Sequence, residues 1–137
     1  MPTAREIMTP EAECIAADAS VSEAAEKMAS LDVGALPICG SDDRLRGMLT
    51  DRDIVVKVLA IGKDPDFCRT GELAQGKPVT IGADDDAKEI LRTMVAYKVR
   101  RLPVIDGHRL VGIVALADVA RALPDAPVGD LMSAVTS

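Results

Sequence analysis

Aromatic residues are almost missing from this chain: its 137 residues include one Phe, one Tyr and no Trp. Any core must therefore be built from Ala, Val, Leu, Ile and Met, and a hydrophobic content of 48% is enough to build one. Long apolar runs are missing too. None approaches the roughly 18 residues that a bilayer span needs. The opening MPTAREIMTP carries early charge and lacks the apolar stretch of a signal peptide. A soluble, cytoplasmic protein without membrane contact is expected. Histidine occurs once, and cysteine three times, at Cys14, Cys39 and Cys68, with no C-x-x-C pair. That excludes the dense, even cysteine framework of small secreted domains. It also leaves too few ligands for a zinc site within one chain, so no metal is expected. Positive charge is in deficit. A net charge of −6 disfavours nucleic acid, whose binding depends on neutralising phosphates. There is no Ser-His-Asp set, no Gly-rich phosphate loop and no metal cluster, so catalysis is not expected either.

What the chain does contain is repetition. Shifted by 66 residues, Ile15 falls on Ile81, Ala17-Asp18 on Ala83-Asp84, Glu23 on Glu89, Met28 on Met94, Val33 on Val99 and Leu36-Pro37 on Leu102-Pro103. With one residue dropped from the first copy, Arg44-Leu45 meets Arg109-Leu110, Gly47 meets Gly112 and Asp53 meets Asp118. Such an ordered series marks an internal duplication.

Each copy reads as β-α-β-β-α. A short extended segment (14–16; 79–81) precedes a helix with apolar residues at helical spacing. These are Val21, Ala24, Ala25 and Met28 in one copy and Ala87, Ile90, Leu91 and Met94 in the other. Ser20-x-x-Glu23 and Asp86-x-x-Glu89 have the form of capping boxes. A hairpin follows (36–39 with 45–49; 102–105 with 110–114), the second around the tight-turn pair Asp106-Gly107. A last helix closes each copy (52–59; 116–123), the second stopped by Pro124. The fold class is thus α/β (α+β), with two units that bury a core by packing sheet to sheet under pseudo-two-fold symmetry. The boundaries are 4–60 for the first copy, 61–69 for a linker, 70–124 for the second copy and 125–137 for a tail. Short echoes precede each first strand, Arg5-Glu6-Ile7-Met8 and Gly71-Glu72-Leu73-Ala74. The tail offers a third, Gly129-Asp130-Leu131-Met132, whose Leu and Met are expected to cover an apolar surface.

The duplicated unit has Leu-Pro on its second strand and ends in glycine-x-x-Thr-x-x-Asp, here GMLTDRD with the variant GIVALAD. In this it resembles the CBS domain family, two repeats of which form a Bateman module. The first copy, GALPICGSDDRLRGMLTDRDIV, is of the kind found in free-standing, stress-linked CBS pairs. The resemblance covers Arg5 to Pro124. It implies clefts between the repeats that take AMP, ADP, ATP or S-adenosylmethionine, with the ribose held by the aspartate and the neighbouring hydroxyl. Carried onto this chain, those residues are Asp53 with Thr50, and Asp118 with Ala115, which lacks the hydroxyl. An ionised carboxylate accepts the two hydrogen bonds that adjacent ribose hydroxyls donate. The same acids would equally serve as helix caps. The resemblance also gives Arg100 and Arg101 a phosphate role, where the first copy has Gly34 and Ala35, and Arg52 is a further phosphate candidate. Surface salt bridges explain these arginines equally well. Adenine would lie against aliphatic walls: Ile15, Val33, Leu36 and Pro37, or Ile81, Val99, Leu102 and Pro103. Core packing also accounts for these. Gly47 and Gly112 read as structural.

In a CBS unit the strands carrying Cys14 and Cys39 are neighbours, so the resemblance lets these two form a disulfide; buried free thiols are the other reading. Cys68 has no partner in the chain, and His108 reads as exposed and silent. Two functions follow from the resemblance. One is a regulatory module that binds an adenosyl ligand, dimerises through its helices and signals to a separate effector protein. The other is a ligand-free stress-response scaffold that acts through protein contacts and is redox-sensitive at Cys14 and Cys39.

Overall fold

The computed structural model describes residues 1–74 and 78–123. Pro124 and the tail echo 129–132 lie outside the described residues. In chain order the elements are α1 (Ala4–Ile7), β1 (Thr9–Pro10), β2 (Ile15–Ala16), α2 (Val21–Leu31), β3 (Ala35–Cys39), β4 (Leu45–Thr50) and α3 (Asp51–Ile54). A π-helical segment (Val55–Leu59) continues α3. Then come α4 (Thr70–Leu73), β5 (Ile81–Gly82), α5 (Ala87–Tyr97), β6 (Arg101–Asp106), β7 (Arg109–Ala115) and α6 (Leu116–Ala122). This mixed α/β chain forms two compact units. Unit 1 joins Met1–Ala12 to the chain from Val79 onward, and unit 2 is Glu13–Pro78. Unit 1 holds a sheet of order β1-β7-β6-β5, and unit 2 a sheet of order β2-β3-β4. In each, a parallel pair (β2 with β3; β5 with β6) adjoins an antiparallel hairpin (β3 with β4; β6 with β7).

The long helices form where the apolar periodicity predicts. α2 buries Val21, Ala24 and Met28 but leaves Ala25 of the expected stripe exposed, and α5 buries Ala87, Ile90, Leu91 and Met94. Both end at a residue in the left-handed region, Asp32 and Lys98, each at φ 55°. Their N-terminal caps are simpler than the sequence implies. Ser20 Oγ accepts from the Glu23 amide at 3.1 Å, and Asp86 Oδ1 accepts from the Glu89 amide at 2.9 Å. Among the described contacts the return bond is absent in both, and the Glu89 carboxylate pairs with Arg92 instead. A fully reciprocal box forms at Thr50 and Asp53.

The echoes have a definite place. In unit 1 the amides of Ala4 and Arg5 donate to the carbonyls of Asp85 (2.8 Å) and Ala83 (2.9 Å). In unit 2 the amides of Thr70 and Gly71 donate to the carbonyls of Ala19 and Ala17, both at 2.9 Å. These are corresponding positions of the duplication. Each echo therefore docks on the turn ahead of the long helix of the copy that it does not precede. After docking, the chain crosses the hairpin over a glycine. A Cβ at Gly112 would lie 2.5 Å from Met8 Sδ and 2.6 Å from the Thr9 carbonyl oxygen, and one at Gly47 would lie 3.0 Å from Ala74 Cβ. Both motif glycines are thus explained by close approach rather than by backbone conformation.

Each unit has its own apolar cluster. Unit 2 packs Val21, Met28, Ile38, Leu49, Val58 and Leu73. Unit 1 packs Ala4, Ile90, Met94, Leu102, Val104, Val114 and Val119. No Phe, Tyr or Trp enters either.

Candidate functional site

In both units the hairpin brings residues distant in sequence to one corner. Ala35 stands opposite Thr50 in unit 2, and Arg101 opposite Ala115 in unit 1. The corner is closed by a backbone bond from the Asp51 amide to the Gly34 carbonyl (2.9 Å), matched by one from the Leu116 amide to the Arg100 carbonyl (2.8 Å). The helix that starts there carries the motif aspartate at its third position.

Asp53 uses its two oxygens differently. Oδ2 accepts from the Thr50 amide at 3.0 Å, while Oδ1 lies 3.3 Å from Lys57 Nζ. The Asp53 amide in turn donates to Thr50 Oγ1 at 3.1 Å. Asp118 repeats the pattern: Oδ2 accepts from the Ala115 amide at 2.8 Å, and Oδ1 pairs with Arg121. With alanine at 115, no side chain caps the Asp118 amide. Both carboxylates are therefore fixed by the cap on one side and held by a cation on the other. Their side chains are only 23% and 12% exposed, whereas Lys57 and Arg121 are 39% and 72% exposed. The hydrogen bond to the amide is built into the helix start, whereas the cation sits on a longer and more exposed side chain.

The remaining sequence candidates divide. Arg100 and Arg101 are exposed beside Asp118, and among the described residues neither is in an ion pair. Arg52 is exposed, and its amide donates to Asp51 Oδ1 at 2.8 Å. Val33 is exposed and Val99 half-buried, each just ahead of the corner. Pro37 and Pro103 are buried within β3 and β6. Ile15 and Ile81 belong to the two apolar clusters, as do Leu36 and Leu102, so core packing fully accounts for these four. Lys57 and Arg121 escaped the sequence reading. The signal was there, as a base one helical turn beyond each aspartate (Asp-x-x-x-Lys and Asp-x-x-Arg).

Cys14 and Cys39 are joined as a disulfide with their Cα atoms 5.7 Å apart, beside the parallel register of Ala16 on Cys39. Lys27 Nζ donates to the Cys14 carbonyl at 3.0 Å. Cys68 is a buried thiol whose Sγ lies 3.8 Å from Glu72 Oε2. His108 is exposed in the second hairpin turn. No helix among the described residues is long and apolar enough to cross a membrane.

Comparison with known proteins places these corners in context. The family model for the CBS domain matches residues 4–60 and 71–125. Over all 137 residues the chain is 48% identical to hypoxic response protein 1 of Mycobacterium tuberculosis, covering 96% of that protein. A crystal structure of hypoxic response protein I with two coordinated zinc ions is 51% identical, with a TM-score of 0.84, over 90% of this chain and 100% of that one. The structure of CBSX2 in complex with AMP is 25% identical, with a TM-score of 0.77, over 90% and 97% of the two chains. Among the described residues no group of three or more His, Cys, Asp or Glu could hold a metal ion, and Cys14 and Cys39 are bonded to each other. The twofold match to the family model, the full-length similarity and the repeated strand-and-helix units agree: this chain belongs to the CBS domain family.

Proposed function

We propose that this protein is a stand-alone CBS-pair regulatory module, not an enzyme, that binds an adenosyl ligand (AMP, ADP, ATP or S-adenosylmethionine). It works in the cytoplasm as a homodimer and passes the signal to a separate effector protein. One observation carries the reading: both units place a mostly buried carboxylate, Asp53 or Asp118, with one oxygen on a backbone amide and the other paired with a cation one helical turn on. Adjacent ribose hydroxyls would replace Lys57 or Arg121 on that second oxygen, and charge-assisted bonds there are roughly twice as strong as neutral ones. The AMP held by a CBS relative at 25% identity supports the same ligand class.

The two corners differ in equipment. Thr50 Oγ1 accepts from the Asp53 amide, which leaves its O–H to donate to a ligand. Ala115 offers nothing comparable, and the missing bond costs about 0.5–1.5 kcal/mol. Arg100 and Arg101 compensate there through phosphate, which a guanidinium fork binds in bidentate fashion. A ligand rich in phosphate therefore favours the Asp118 corner.

A thermal-shift panel tests this. The four adenosyl compounds at millimolar concentration are expected to raise Tm selectively over GMP, because a ligand that binds only the folded state stabilises it by mass action. Asp53→Ala and Asp118→Ala should each shrink the shift. No shift with any adenosyl compound would overturn the reading.

A further inference from the structure

Of the three echoes in the sequence, the two described ones show what an echo does. Each lays two amides on the carbonyls of a turn and then crosses a motif glycine. The third, in the tail, lies outside the described residues. Its sequence matches the N-terminal echo: Ala4-Arg5-Glu6-Ile7-Met8-Thr9 meets Val128-Gly129-Asp130-Leu131-Met132-Ser133. The acid, the branched apolar residue, the methionine and the hydroxyl recur in order. The echo at 70–74 differs, because Ala74 stands where the other two have methionine.

That difference selects a seat. In unit 2 the small Ala74 crosses Gly47, whereas in unit 1 the larger Met8 crosses Gly112 and its Sδ fills the space that a Cβ there would take. Ile7 and Met8 also pack on the unit 1 apolar cluster, in which Ala4 is fully buried. Leu131 and Met132 offer the same apolar groups. Connectivity selects the same seat. The echo at 70–74 follows copy 1 and docks on copy 1, so an echo that follows copy 2 docks by the same route on copy 2. The route is short. Leu123, just past α6, packs on the same cluster as Ile7 and Met8, and α1 lies against α6. Four residues, 124–127, separate Leu123 from Val128, enough to span up to about 18 Å.

We propose that the tail segment 128–133 is a second occupant of the unit 1 seat that segment 4–9 fills, and that the two exclude each other. In the exchanged state the Val128 and Gly129 amides take the Asp85 and Ala83 carbonyls, and Met132 crosses Gly112. The N-terminal segment is the better fit. Arg5 pairs with Asp106 at 3.1 Å and lies 3.7 Å from Asp84, where the tail has Gly129. The Thr3 amide donates to Glu6 Oε1 at 3.2 Å, where the tail has Pro127 and therefore no N–H. Val128 also adds two methyl groups at the fully buried position of Ala4. The tail thus takes the seat when the N-terminal segment leaves it, and restores part of the lost cover while residues 1–12 are free. This exchange is independent of the ligand reading above.

Amide hydrogen exchange of the full chain, resolved by NMR, tests the proposal. In the wild type the Ala4 and Arg5 amides should be protected, and those of Val128 and Gly129 should exchange faster. Ile7→Asp sets a charge on the apolar cluster and should reverse this: protection falls at Ala4 and Arg5 and rises by about tenfold or more at Val128 and Gly129. Adding Leu131→Asp should abolish that gain. If Ile7→Asp fails to fold, or leaves Ala4 and Arg5 protected, Arg5→Glu is read instead. Arg5 is exposed, and glutamate there sets like charge against Asp84 and Asp106, so a smaller shift in the same direction is expected. Tail amides that stay fast in the variant read overturn the proposal. So does a gain that survives Leu131→Asp, or full protection of both pairs at once in the wild type. A gain that grows with protein concentration puts the tail on a second copy and overturns the exchange within one chain.

Discussion

Single atoms decide several positions, and Gly112 is the clearest. A methyl group there would stand 2.6 Å from the Thr9 carbonyl oxygen, a backbone atom that cannot move without breaking the pairing of Pro10 with Gly112. Gly112→Ala should therefore cost about 1–3 kcal/mol in urea unfolding, the range for overpacked sites. Gly107→Ala, with open space around it but φ at +66°, tests strain without crowding. A Gly112→Ala variant within 0.5 kcal/mol of wild type, by the usual ~0.5 kcal/mol scale of neutral surface changes, would contradict the close-approach account. Thr70 is another such position. It is fully buried, and its Oγ1 donates to the Ala16 carbonyl at 2.7 Å, an oxygen that also accepts from the Ala19 amide at 3.0 Å, so Thr70→Val should cost about 0.5–1.5 kcal/mol, the net worth of one hydrogen bond. Asp42 gives a pH handle. The Arg44 amide it accepts, with Arg46 and Arg44 nearby, holds its carboxyl below the usual range. Its folded value is thus depressed, so the stability it adds is present above the unfolded value and lost as pH falls through the folded one. Asp42→Asn should flatten that part of the acid limb.

At the level of elements, much was legible from spacing alone. The apolar stripes of α2 and α5, the two hairpins and the turn at Asp106-Gly107 all follow from local periodicity and turn chemistry, which act within a few residues. The caps were half legible. Ser20 and Asp86 accept from the third residue as expected, but the glutamates have other outlets, and Glu89 takes Arg92. Ser20→Ala and Asp86→Ala should each cost about 1 kcal/mol in thermal unfolding, with little added loss from Glu23→Ala. A larger loss from Glu23→Ala would restore the reciprocal box. The π-helical turn was not legible, because Val-Val-Lys-Val-Leu has no residue that forces it. Neither was the dual use of Asp53 and Asp118. The sequence offers cap and ribose contact as alternatives, whereas the geometry divides the two oxygens, one to the cap and one to a cation. Lys57 and Arg121 lie beyond the end of the aspartate motif, so the motif does not single them out.

Across the whole molecule, the docking of the echoes reorganises how the chain builds its units. Local pattern locates Arg5 to Met8 and Gly71 to Ala74 but says nothing about where they pack, since that is settled by contacts about eighty residues away in one case and fifty in the other. Removing Met1–Ala12 should therefore strip amide protection from β6, β7 and α5 of unit 1, which lose Ala4 and β1, far more than from α2, β3 and β4 of unit 2. Equal loss in both would contradict the assignment of that segment. The duplication also gives the molecule two related but unequal corners, one with a hydroxyl and one with arginines. Their shared feature is a carboxylate oxygen paired with a cation, and in the proposed reading a ribose takes that cation's place. The most direct test is an equilibrium titration of AMP against 2′,3′-dideoxy-AMP on wild type and on the Asp53→Ala/Asp118→Ala double variant. The wild type should prefer AMP by tenfold or more, the equivalent of about 1.4 kcal/mol, and the double variant should lose that preference. Equal binding of the two nucleotides by wild type, or a preference that survives without both carboxylates, would contradict the account.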